Sequence, residues 1–172
     1  RLIMSLKIVT DSACDVPPEM AQALGITIIP VYINIGEEGY REGVDITREE
    51  FYKNLADYPV YPTTAAPSIG TFTQVYEQLA AEGATEILSI HLAESISATC
   101  NSARLGAESA EGISVTVFDS HQITLGAGLL VASAAEAAAN GKSLAEIVAL
   151  LNEQVPRSRV FGMLDNLEAL RR

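Results

Sequence analysis

The feature that most constrains this chain is the alternation of short β-branched runs with longer stretches of helical period. Lys7-Ile8-Val9-Thr10, Glu86 to Leu92 and Ser114 to Phe118 read as strands, and each is followed by a segment with helical spacing. Nearly continuous apolar strands belong in a parallel sheet covered on both faces, because crossover helices shield them from water. The expected class is α/β, a mostly parallel sheet flanked by helices. Apolar residues make up 48% of the 172, enough for a packed core and too many for a disordered chain.

Local signals place the helices. Pro17 and Pro18 suit a first helical turn that runs to Leu24, with Gly25 as the stop. Ile26 to Ile35 reads as one extended segment, followed by a turn at Gly36-Glu37-Glu38-Gly39. Thr47 and Glu50 have capping-box spacing for a helix that fades by Ala56. Tyr58 to Pro67 holds three prolines, which excludes regular helix and central strand. Ser68 caps a helix whose core face carries Phe72, Val75, Tyr76 and Leu79. Helices are also expected over Ser97 to Ala110, Leu125 to Asn140 and, from the Ser143–Glu146 box, through Val155. Val160 to Leu164 reads as a last strand and Leu167 to Leu170 as the start of another helix.

Charge and cysteines narrow the function. With 22 acidic against 11 basic side chains the net charge is −11, which lacks the cationic footprint that nucleic acid or anionic membrane requires. No apolar run reaches the roughly 18–20 residues of a membrane span. The stretch Ala127 to Ala139 is broken by Ser133 and Glu136. Cys14 and Cys100 form neither a disulfide framework nor a metal motif, so free thiols and a cytoplasmic location are expected. No metal-ligand spacing occurs, and no metal or cofactor is expected.

Ligands of open α/β sheets bind outside the carboxyl ends of the strands. The residues found there are Thr10-Asp11-Ser12, then Ser95 and Ser97-Ala98-Thr99, then Asp119-Ser120-His121 and Thr124. The proline-rich loop adds Thr63, Thr64 and Ser68. Small hydroxyls with few charges suit holding a carboxylate or phosphate through neutral donors, and suit acid–base catalysis poorly. Each feature also has a plain structural reading. Asp11-Ser12 fits a turn cap, Ser97 and Thr99 an N-cap, Asp119-Ser120 a βα turn, and Gly126-Ala127-Gly128 a close helix–sheet contact. A second functional class stays open, a phosphotransfer or hydrolytic enzyme using His91 or His121. Its triad would combine Ser12 or Ser97 with His121 and Asp11 or Asp119, without the G-x-S-x-G elbow.

Six segments then resemble one family in order. Ile8-Val9-Thr10-Asp11-Ser12-Ala13-Cys14-Asp15 resembles the I-V-T-D-S-x-x-D opening of the DegV family of bacterial fatty-acid-binding proteins. Asp45-Ile46-Thr47 with Glu50-Phe51-Tyr52 resembles its D-I-x-x-E-E-F-Y segment, and Thr64-Ala65-Ala66-Pro67-Ser68 its T-S-x-P-S loop. Ser97-Ala98-Thr99-Cys100-Asn101-Ser102-Ala103 resembles S-G-T-Y-x-S-A. Val117-Phe118-Asp119-Ser120 with Gly126-Ala127-Gly128 resembles V-x-D-S followed by G-x-G, and Arg159 to Leu170 resembles the lead into a second domain.

The resemblance implies a two-domain α/β protein that binds a long-chain fatty acid with its acyl tail in an apolar tunnel. It implies a carrier rather than a catalyst, with no catalytic residue of its own, which presents the acid to a separate fatty acid kinase. Thr64 and Ser97 would hold the carboxylate, with Asp11, Ser12, Thr99, Asp119 and Ser120 nearby. Residues after Ser120 and within the helix from Leu125 would line the tail. Residues 1–158 would form the DegV-type N-terminal domain and 159–172 the start of a truncated second domain. The chain departs from the family pattern at Ala65, where the family has Ser, and at Ala98, where it has Gly. The Ala98 methyl stands where the family's loop has none.

Overall fold

The computed structural model describes residues 5–163. Its core is a four-stranded, wholly parallel sheet in the order β2-β1-β6-β7. The strands are β1 (Leu6–Asp11), β2 (Ile26–Ile29), β6 (Glu86–His91) and β7 (Ser114–Asp119). Alternation along them assigns the two faces. Ile8, Leu88 and Ile90 pack with α1 (Pro18–Leu24), α5 (Thr124–Ala139) and α6 (Leu144–Gln154). Val9, Ile29 and Ile87 pack beneath α3 (Ile69–Ala81) and α4 (Thr99–Ser109). The expected α/β architecture, helices on both sides of a parallel sheet, is what the chain adopts.

One expected segment divides. Ile26 to Ile35 splits at Pro30-Val31 into β2 on the parallel sheet and β3 (Tyr32–Ile35) on a second one. Pro30 has no N–H to donate, so the ladder ends there and the chain turns away. β3 pairs antiparallel with both β4 (Glu38–Arg41) and β5 (Thr63–Ala65), in the order β4-β3-β5. The small sheet and α2 (Arg48–Asn54) form an excursion between β2 and α3. The proline-rich stretch thus yields a three-residue edge strand, with Thr64 opposite Ile33.

Helix ends follow local chemistry. Pro18 opens α1, and Gly25 closes it at φ 64°, donating to Ala21 and Gln22. Ser143 and Glu146 complete both halves of the capping box on α6. At α2 only the Thr47 half forms, accepting from the Glu50 N–H at 3.1 Å. Among the described residues the strand expected from Val160 does not form: residues 160–163 are irregular, with Phe161 and Met163 exposed. Leu164 and the helix expected at Leu167 to Leu170 lie outside the described residues. Among the described residues no helix is long and apolar enough to cross a membrane.

Candidate functional site

The strand order places a switch point between β1 and β6. The chain leaves β1 outward to β2, then returns on β1's other side as β6, so the two exits diverge and leave a crevice. Ser12 begins one exit and Leu92 to Ser97 form the other.

Ser12 does not cap its own turn. Its Oγ accepts from the Val31 N–H at 2.9 Å and donates to Glu42 Oε2 at 2.6 Å, tying the small sheet to the end of β1. Arg48 completes the tie, donating to Glu42 Oε1 at 2.8 Å and the Ser12 carbonyl at 3.0 Å, and pairing with Asp15. Thr64 is carried to the β1 exit on this scaffold.

Two cavities flank the ion cluster, and Asp15, Glu42 and Arg48 line both. The larger, about 590 Å³, has an apolar wall of Val16, Pro17, Pro18, Ile28, Pro30 and Val44. The smaller, about 270 Å³, is walled by Val31, Ile33 and Phe51 and receives Thr64 and Thr124. Ser12 lines the larger cavity. Ser97, Asp11, Thr99, Asp119 and Ser120 line neither. Sequence reasoning missed the larger cavity's wall, although the Pro17-Pro18 and Pro30 breaks on either side of β2 carry a signal for it. Leu125 and Leu129, candidates for an acyl lining, are exposed on α5, and Leu130 and Val131 belong to the core.

The remaining hydroxyl candidates have local partners. Ser97 is half-buried, with its Oγ 2.8 Å from Thr99 Oγ1 and accepting from the Thr99 N–H at 3.2 Å. Neither Ser97 nor Thr99 is the N-cap that the sequence suggested: that position is Ala98, without a side-chain cap, and Ser97 instead turns the backbone one residue earlier. Ser120 accepts from the Gln122 N–H. Asp119 accepts from the N–H groups of His121 and Glu94 at 2.8 and 3.2 Å, and pairs with the exposed His121 ring at 3.0 Å.

Asp11 and His91 belong to a different arrangement. Period-two alternation puts Ser89 and His91 of β6 on the same face as Val9 and Asp11 of β1, under α3. The hydrogen bonds run in one consistent direction. Tyr76 O–H donates to Ser89 Oγ at 2.8 Å, Ser89 O–H to His91 Nε2 at 2.7 Å, and His91 Nδ1–H to Asp11 Oδ2 at 2.9 Å. Burial pushes the Tyr76 phenol up from its ordinary value, against the lowering effect of Ser89, so it remains a donor. Asp11 Oδ2 also accepts from the Leu92 N–H at 3.2 Å, which pins the start of the loop to Ser97.

The serine–histidine–aspartate order resembles a hydrolase triad that keeps the expected Asp11 but differs from the expected triad in its serine and histidine. The serine is Ser89 rather than Ser12 or Ser97, and the histidine paired with Asp11 is His91 rather than His121. Ser89 and His91 are fully buried, so no substrate reaches them, and the connectivity serves packing. The sequence signal was Ser89-Ile90-His91, two polar residues two apart inside an apolar strand.

Both cysteines are free and fully buried. Burial, then Asp11, raises the Cys14 thiol, while burial followed by Asp119 pushes Cys100 up to about 12. A maleimide is expected to label neither thiol of the native chain at neutral pH and both in denaturant, since the thiolate is the reactive form. Rapid native labelling of Cys14 would contradict the packing of the β1 exit. Among the described residues no three His, Cys, Asp or Glu side chains gather to hold a metal ion.

With this geometry in place, comparison with known proteins is informative. A family model described as an uncharacterised protein of the DegV family matches residues 5–172. A DegV domain-containing protein of Deinococcus radiodurans is 39% identical over 168 residues, covering 98% of this chain and 59% of that protein. Among solved structures, DegV of Bacillus subtilis, described as a fatty acid binding protein, superposes with a TM-score of 0.84 at 34% identity, over 89% of this chain and 54% of that one. A DegV family protein from Thermus thermophilus, whose structure concerns fatty acid binding, gives a TM-score of 0.81 at 35% identity over the same shares. The chain thus spans about 59% of the length of the curated relatives it matches.

Proposed function

The chain belongs to the DegV family, and from that premise we propose that it binds a long-chain fatty acid and acts as a carrier. In this reading Thr64 and Ser97 hold the carboxylate and the acyl tail lies in the apolar cavity of about 590 Å³. The supporting observation is the pair of adjoining compartments. One offers the Thr64 hydroxyl, the other an apolar wall, and both share Asp15, Glu42 and Arg48. The larger volume falls within the roughly 300–1,000 Å³ of ordinary small-molecule sites. Fatty acid binding by the Bacillus subtilis and Thermus thermophilus proteins supports the same ligand class.

Neutral hydroxyls bind a carboxylate without transferring a proton, so the bound acid leaves unchanged unless another protein acts on it. A separate kinase that converts the carboxylate to an acyl phosphate is the partner this chemistry fits. The chain alone, mixed with ATP and palmitate, is expected to produce no acyl phosphate.

Mass spectrometry of solvent extracts from the purified chain, and from a longer version that includes the rest of a relative's length, tests the binding. Near-stoichiometric fatty acid is expected, and clean extracts from both would overturn the proposal. Affinity should rise about fourfold for each added methylene until the cavity is full, following about 0.8 kcal/mol per buried CH₂.

A further inference from the structure

Thr124 is a non-glycine residue with φ 49°, in the left-handed region that a β-branched side chain seldom enters. It lines the same cavity as Thr64, reached from the far end of the chain, at the first residue of α5. Both side chains are exposed, and neither hydroxyl takes a hydrogen bond within the described residues. The charged groups on that wall are engaged, and the exposed Tyr52 phenol borders it. Glu42 and Asp15 are both paired with Arg48, and Glu42 also accepts from Ser12. The cavity therefore presents two uncommitted threonine hydroxyls beside an ion cluster in which one guanidinium, Arg48, serves two carboxylates, so the hydroxyls are the donors left for an added anion.

Resting on the fatty-acid reading above, we propose that Thr124 is a further carboxylate-binding residue, its hydroxyl donating to the bound acid from the wall shared with Thr64. A strained backbone persists only where the surrounding structure over-determines it, and such positions cluster at ligand clamps and active sites. Serine would supply the same donor without the β-branch. Valine keeps the shape and loses the donor, whereas glycine relieves the backbone and removes the side chain.

These differences separate a binding role from a packing role. Palmitate and 1-hexadecanol, which share a tail and differ in the head, are titrated against the chain and its variants, with melting temperatures recorded. Thr124→Val is expected to bind palmitate about 10- to 100-fold more weakly, from the loss of one donor to a charged group, and hexadecanol almost unchanged. Thr124→Gly should lose the same palmitate affinity while melting no lower than the original chain, and Thr124→Ser should retain binding. Palmitate affinity unchanged in Thr124→Val, with the original chain binding normally, would overturn this proposal alone. Equal weakening for palmitate and hexadecanol would overturn it too, as the mark of a packing role. An original chain that binds neither ligand would overturn the fatty-acid reading and this one with it.

Discussion

Gly128→Ala is expected to lower the stability of the domain by about 1–3 kcal/mol, the cost of forcing atoms into a filled site. A Cβ at Gly128 would lie 2.3 Å from the carbonyl oxygen of Cys14, closer than real Cβ atoms approach. The obstacle is backbone, held by the turn Ser12–Cys14 and by the left-handed Asp15, so neither side has a rotamer to yield. α5 would have to move off the β1 exit, taking its buried Leu130, Val131 and Ala134 with it. Thermal unfolding should show a fall of roughly 2–4 °C per kcal/mol for a domain of this size. Gly126→Ala is the control. Its Cβ would press on the Cγ2 of Val160, an exposed side chain that can rotate away, and touch the Gln122 side chain at ordinary contact distance, so its loss should be much smaller. Equal melting of Gly128→Ala and the original chain would mean that α5 and β1 are less tightly apposed than the structure has them. Because Ala13 and Asp15 line the cavities beside that turn, the same substitution should also weaken ligand binding.

The combined variant Thr64→Val with Ser97→Ala carries the largest expected functional effect. A buried carboxylate that loses one donor costs about 1–3 kcal/mol, or roughly 5- to 150-fold in affinity for each site. If both hydroxyls meet one carboxylate, the two losses are coupled, and the double variant departs from the product of the singles. Stability should respond differently at the two positions. Thr64 is exposed with no side-chain hydrogen bond, so Thr64→Val leaves the melting temperature near its original value. Ser97→Ala removes the acceptor for the Thr99 N–H and a modest part of α4's start. Isothermal titration with palmitate decides the matter, and unaltered affinity in the double variant would remove both residues from the site. Strict additivity with large single effects would instead place the hydroxyls on separate parts of the ligand.

Much of the fold was legible because it rests on local rules. The parallel strands announce themselves as apolar runs, and Ser68, Thr47 and Ser143 mark helix starts because an N–H three residues on needs an acceptor. Gly126-Ala127-Gly128 was readable as a close contact because only glycine admits one. Other features had no such local cause. β3 is a short, partly buried strand and β5 an exposed one of three residues, and nothing in either indicates that Tyr32 should lie beside Ala65. The proline-rich stretch hid a strand because edge strands tolerate what central strands do not.

For the site, the sequence by itself determined the inventory: hydroxyls at the strand exits, few charges among them, and the order of motifs that marks the family. Only the tertiary structure decided which of those groups are free. Ser12 and Ser120 are bound to their own neighbours, Ser97 touches Thr99 at the start of α4 and is half-buried, Asp11 and His91 close a sealed chain with Ser89 and Tyr76, and Thr64 shares a cavity with Thr124. The reason is physical. A side chain's type sets what it can donate or accept, whereas its partner is set by which distant strand the sheet order brings alongside, and that order depends on packing over the whole core.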